Sequence, residues 1–190
     1  MPMLAEKQRL FTVDEYYAMA CAGILTEDDR IELIDGLIIA MSPIGDPHVT
    51  CVIRLTYLFG NQLYASGEPP PAMLSVQNPV RLNDFTEPQP DVVLIRPGRA
   101  GVPAAKDGLL LVEVSDTTLD FDREIKLPRY AAAGIPEVWI VALQEERLEV
   151  YRKPGPTGYA EEASFGRGEE LTVEALPDVG TFAVDEILGS

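Results

Sequence analysis

The chain has one histidine, two cysteines and one tryptophan in 190 residues, and only 15 basic side chains against 31 acidic ones. One imidazole and two distant thiols, Cys21 and Cys51, support neither a zinc site nor a disulfide framework. Both cysteines fall inside predicted helices and are expected to be packing residues. No apolar stretch approaches the roughly 20 residues that cross a bilayer, and Met1 to Arg9 is mixed and charged, unlike a targeting segment. The expectation is a soluble, cytoplasmic protein with no membrane contact and no organic cofactor. Lack of positive charge also weighs against nucleic acid as a partner, because a net charge of -16 repels it at long range. Two physical escapes exist: basic residues gathered around one groove, or binding through divalent cations or a partner.

What is present suffices for a sizeable core, since 46% of the residues are hydrophobic. A single domain over 1–190 is expected, with its core at about 11–151 and a peripheral extension at 152–190. Thr12 and Glu15 have capping-box spacing for a helix from Val13 to Ala22, closed by Gly23. The segment 30–41 reads as a hairpin turning on Asp35-Gly36, which puts Glu32 on a strand. Asp46 as N-cap and Pro47 behind it open a long amphipathic helix to about Gly67. Strand patterns follow at 72–80, 91–95, 109–115, 138–143 and 148–151. A helix at 122–133 lies between the third and fourth of these, with Pro128 either in a first turn or marking a bend. The result is an α/β (α+β) domain, a mixed sheet flanked by helices.

The informative stretch is 90–126. Pro90 places Asp91 at the start of one apolar strand, and Glu113 interrupts the otherwise continuously apolar run 109–114. An unpaired carboxylate inside such a strand costs several kcal/mol, so Glu113 needs either an arginine or a bound cation. Two carboxylates on adjacent strands with Lys126 close behind are the parts that hold a hard divalent cation, Mg²⁺ or Mn²⁺, against a phosphodiester. Taken alone, Asp91 reads first as a strand-end aspartate, while Lys126 reads equally as a solvated helix lysine and Glu32 as a solvent-facing strand residue. Asp122 sits where the helix should begin and reads as its cap. Trp139 reads as core packing.

Glu32-Leu-Ile-Asp-Gly36, Met41-Ser-Pro43, His48, Pro90-Asp91, Glu113-Val-Ser115, Asp122, Lys126, Tyr130 and Gly134-Ile-Pro-Glu137 with Trp139 occur together in this order. In that set the chain resembles a bacterial family of restriction endonuclease-like proteins, the Uma2 type, within the PD-(D/E)XK nuclease superfamily. The resemblance implies a restriction endonuclease-like core and hydrolysis of phosphodiester bonds in DNA, with Asp91 and Glu113 as metal ligands. It implies a catalytic Lys126 that orients or deprotonates the attacking water, and Glu32 as a further acidic catalytic residue. The superfamily's usual lysine lies two residues after the glutamate, where this chain has Ser115; the resemblance suggests that Lys126 reaches the same spot from the helix. Two subunits acting together, a homodimer, follow from the superfamily's habit. Substrate contacts are expected from His48 and Ser115, and from Arg123 and Arg129 if the helix continues past Pro128. Two rival readings stay open: a catalytically inactive interaction or scaffolding module with a nuclease fold, and a nuclease acting on RNA or branched DNA.

Overall fold

The structure is a computed structural model that describes residues 8–26, 28–98 and 100–189. The Glu15 amide donates to Thr12 Oγ1 at 3.2 Å and the Thr12 amide donates to Glu15 Oε2 at 3.0 Å, so the capping box opens α1 (Val13–Cys21). Asp35 (φ 51°) and Gly36 (φ 76°) both take the left-handed conformation that a two-residue type I′ turn requires, joining β1 (Ile31–Ile34) to β2 (Leu37–Ala40). A Cβ on Gly36 would stand 2.6 Å from that of Leu10, so glycine is needed there twice over. The cap of α2 (Asp46–Tyr64) is Gly45 and not Asp46, because Gly45 holds the extended conformation and Asp46 is already helical, with Pro47 next. Asp46 still faces the positive end of the helix dipole.

One six-stranded sheet organises the molecule. Its strands lie in chain order: β3 (Met73–Val76), β4 (Val92–Ile95), β5 (Gly108–Ser115), β6 (Glu137–Ala142), β7 (Arg147–Gly155) and β8 (Gly158–Phe165). Only β5 and β6 run parallel, and a parallel pair needs a crossover. That crossover is α3 (Leu119–Phe121), a π-helical turn (Asp122–Lys126) and α4 (Leu127–Ala132). Pro128 lies in the first turn of α4, where its missing N–H is tolerated. The expected strand at 72–80 stops at Val76, because Gln77 turns to φ 51°.

Every residue of β5 is buried, as a strand covered on both faces must be. On one face, Leu55, Phe59 and Leu63 of α2 pack against Val112 and Trp139; on the other, Leu111 and Ile140 lie under Tyr130 and Ile135. Residues after Pro154 join this core. β8 is the exposed sheet edge, and β9 (Glu170–Thr172), β10 (Thr181–Ala183) and α5 (Val184–Leu188) bring Leu171, Phe182 and Ile187 into the α2 face. No helix among the described residues is long and apolar enough to cross a membrane.

Cys51 is buried on α2, and burial, helped by Asp91, pushes its thiol up to about 12. Cys21 departs from expectation: it is exposed, because α1 fully buries only Val13. At pH 8 the folded protein is expected to consume one equivalent of a chromogenic thiol reagent rapidly, and the second only after denaturant is added.

Candidate active site

Lys126 is the hub of the site. The π turn adds one residue to the helical repeat, shown by the Leu127 amide bonding the Asp122 carbonyl, and the crossover buries Asp122, Lys126 and Tyr130 together. Lys126 Nζ lies 3.2 Å from Glu32 Oε2, 3.3 Å from Glu113 Oε1 and 4.0 Å from Asp122 Oδ1. Tyr130 donates a short hydrogen bond to the same Glu113 oxygen. Glu32 also accepts the Gln89 amide at 3.2 Å, and Asp122 accepts the hydroxyls of Ser115 at 2.7 Å and Thr118 at 2.8 Å. Asp122 is therefore a buried member of the cluster and not a helix cap.

Asp91 forms the second node. The Val114 amide donates to its Oδ2 at 2.8 Å across the β4–β5 pair. Its Oδ1 meets His48 Nε2 at 3.0 Å and receives the Gln77 amide nitrogen at 3.4 Å. His48 Nδ1 is closed off from solvent with no hydrogen-bond partner among the described residues. An orphaned buried nitrogen of this kind costs about 1–3 kcal/mol, so the imidazole is held in place for what Nε2 does to Asp91.

Charge in this cluster is unbalanced. Burial pushes the Glu113 carboxyl well above the usual range; Lys126 pulls it back, and Asp122 and Asp91 push it further. Asp122 is likewise raised by its burial against the pull of Lys126. Burial alone would strip the proton from Lys126, but the carboxylates of Glu113, Glu32 and Asp122 outweigh it and hold the ammonium above its ordinary value. The Tyr130 phenol, raised by burial and by Glu113, stays a donor.

Glu32, Asp91, Glu113, Asp122 and Lys126 line a cleft of about 1090 Å³ between α1, the β1–β2 hairpin and the ends of β4 and β5. Lys126 and Tyr130 occupy Glu113 Oε1, whereas Glu113 Oε2 makes no hydrogen bond among the described residues. Among the described residues no three His, Cys, Asp or Glu side chains stand ready as a metal cage. Mg²⁺ does not need one, since it commonly takes one or two carboxylates and completes its shell with water and phosphate oxygens. The Asp91 and Glu113 oxygens fit that requirement, being hard donors on adjacent strands with one Glu113 oxygen open.

Of the residues singled out from sequence, Asp91, Glu113, Lys126 and Glu32 come together, and His48 joins them through Asp91. Ser115 is buried against Asp122 and turned from the cleft. Arg123 is held by Glu145 and Glu149, and Arg129 by Asp35 and the Ile125 carbonyl, so neither lies along a stripe with Lys126. For Arg123 the π turn contributes, because the expected stripe assumed a regular α-helical repeat between it and Lys126; both arginines are drawn off by carboxylates from distant parts of the chain. Gln77 and Tyr130 carry no assigned role from sequence; the Asp122, Lys126, Tyr130 spacing of four was the available sign for the latter.

One solved structure similar to this chain is described as a putative nuclease belonging to DUF820, from Anabaena variabilis ATCC 29413; it aligns with a TM-score of 0.70 over 94% of this chain and 97% of its own, at 16% identity. That likeness establishes a shared fold. No curated protein matches the chain. The family model described as "Putative restriction endonuclease" matches residues 13–185, and by that match the chain belongs to the Uma2 family.

Proposed function

We propose that the protein is a divalent-cation-dependent endonuclease that hydrolyses phosphodiester bonds in DNA. The observation that carries this reading is the convergence of Glu113, Glu32 and Asp122 on one buried ammonium, Lys126, with Asp91 lining the same acidic cleft. Asp91 and Glu113 are the residues to hold Mg²⁺ or Mn²⁺, with a backbone carbonyl near Val114 as a further donor. When bound, the ion supplies Lewis-acid polarisation of the phosphoryl oxygen and a more acidic water.

The chain's own residues account for the rest. Lys126, held as an ammonium by the neighbouring carboxylates, orients the attacking water and stabilises charge that develops on the phosphorus oxygens. Glu32 fixes the Lys126 side chain together with Glu113. His48 and Gln77 hold one oxygen of Asp91 while the Val114 amide holds the other, which removes its freedom to rotate. The scaffolding alternative draws on Glu113 being satisfied by Lys126 and Tyr130 without any ion.

A calorimetric titration with Mn²⁺ and Mg²⁺ separates the two. The nuclease reading predicts binding below millimolar concentration, weaker at pH 6 than at pH 8, with proton release, because an ion must displace the proton that burial favours on Glu113. A folded protein that binds neither ion at millimolar concentration would favour the scaffold.

A further inference from the structure

Charge around the cleft restricts the substrate further than the fold does. Among the described residues only Arg30, Arg54, Arg96 and Lys106 make no ion pair, and of these only Arg30 lines the cleft. Arg54 and Arg96 donate instead to the carbonyls of Leu188 and Lys106. The other cation of the cleft, Lys126, is buried and engaged by Glu32 and Glu113. Four more carboxylates, Asp29, Glu87, Asp116 and Asp120, line the same cleft outside the cluster. A duplex is held by neutralising a run of phosphates on both strands, commonly 6–10 of them, and among the described residues the cleft has no such track.

What the cleft offers instead is aromatic. Tyr16 and Tyr17 of α1 line it, ring centroids 5.9 Å apart and nearly edge to face. Both hydroxyls are tied down, Tyr16 to the Ile31 carbonyl at 3.3 Å and Tyr17 to Glu87 Oε1 at 2.7 Å, so the rings stand as fixed walls. Tyr17 keeps 40% of its surface exposed, which leaves a ring free for a partner to stack on. Unpaired bases bind aromatic walls of this kind by stacking, at about 1–3 kcal/mol per base.

We infer that the substrate is an unpaired strand: one scissile phosphate delivered to Asp91, Glu113 and Lys126, with a neighbouring base stacked on Tyr17, and no long duplex track. The inference rests on the nuclease reading above. It predicts a weak dependence on salt, a log–log slope of about -1.4 for two cation–phosphate contacts on a single strand, against about -5 to -9 for a duplex grip.

The test uses the full chain with Mg²⁺ at fixed concentration and labelled 20-mers as single strand, as blunt duplex, as duplex with an unpaired central segment, and as RNA of the same sequence. Cleavage rates are followed from 50 to 200 mM salt. The expected result is cutting of the single strand and of the unpaired segment at least about tenfold faster than the blunt duplex, with the shallow slope. Tyr17→Ala is expected to raise KM on the single strand by about tenfold with kcat nearly unchanged, and Tyr17→Phe, which keeps the ring and loses the bond to Glu87, to recover most of that loss. Preference for the blunt duplex with a steep slope would overturn the substrate class while leaving the nuclease intact. No cutting of any substrate would overturn both. A faster reaction on the RNA arm would keep the unpaired strand and assign it to RNA.

Discussion

Replacing Lys126 by methionine is expected to abolish cleavage and to destabilise the fold by about 3–5 kcal/mol at pH 8, the usual cost of stranding buried charge. Among the described residues Lys126 is the one cation that touches Glu32, Glu113 and Asp122, all of them buried. Without it the Glu113 and Asp122 carboxyls bind protons in the folded state still more tightly than in the unfolded chain. For acids raised in this way, stability is intact below the unfolded value, near 4, and is lost as pH rises through the folded value. The Lys126→Met deficit should therefore be small at pH 5 and grow toward pH 8. Urea unfolding followed by Trp139 fluorescence at several pH values measures it, since Trp139 is fully buried against Phe59 and Phe182. A deficit independent of pH would mean that Lys126 contributes only through packing.

The second large effect separates function from stability. Glu113→Gln keeps the shape of the side chain and an oxygen for Tyr130 and Lys126, but cannot ionise. On the proposed mechanism cleavage should fall on the order of 10²–10³-fold, the scale of losing one charge-stabilising contact. Stability should move the other way, gaining about 0.5–2 kcal/mol at pH 8, as happens when a strained active-site group is relieved. The sign follows from Glu113's raised folded-state value: the wild type loses stability as pH rises, the variant lacks that loss, and the two curves converge below about pH 4.5. A structural ion pair would give the opposite result, with Glu113→Gln less stable at every pH above that point.

How far the site could be read from sequence depended on whether a residue's surroundings were local. Glu113 announced itself, as a carboxylate inside an apolar strand has few explanations, and Pro90 marked Asp91 as a strand start. The hairpin at Asp35-Gly36 and the capping box at Thr12 are short-range devices, and both formed as expected. Arg123 and Arg129 were misplaced because long cationic side chains choose among carboxylates brought from far along the chain: Glu149, Glu145 and Asp35 lie 26, 22 and 94 residues away. The π turn has no compositional signature, yet it decides that Asp122 enters the cluster. The tail beyond Pro154 showed little pattern because β8 is an exposed edge, although Phe182 beyond it stacks 4.8 Å from Phe59.

The role of His48 is also a matter of tertiary placement. A lone histidine in the first turn of α2 pointed to a phosphate or water contact; the fold sets it against Asp91 at 3.0 Å, where it positions a carboxylate. Its partner sits 43 positions later in the chain, at the far side of a loop that no local pattern connects to α2.

The measurement that bears most directly on the account is cleavage of supercoiled plasmid and circular single-stranded DNA by the purified protein, with Mg²⁺, Mn²⁺ or EDTA, beside Asp91→Ala carried through the same purification. The account predicts cutting that requires the divalent ion, stops in EDTA and is lost in Asp91→Ala. Cutting of equal rate in the variant, or no cutting with either ion by a protein shown to be folded, would contradict it.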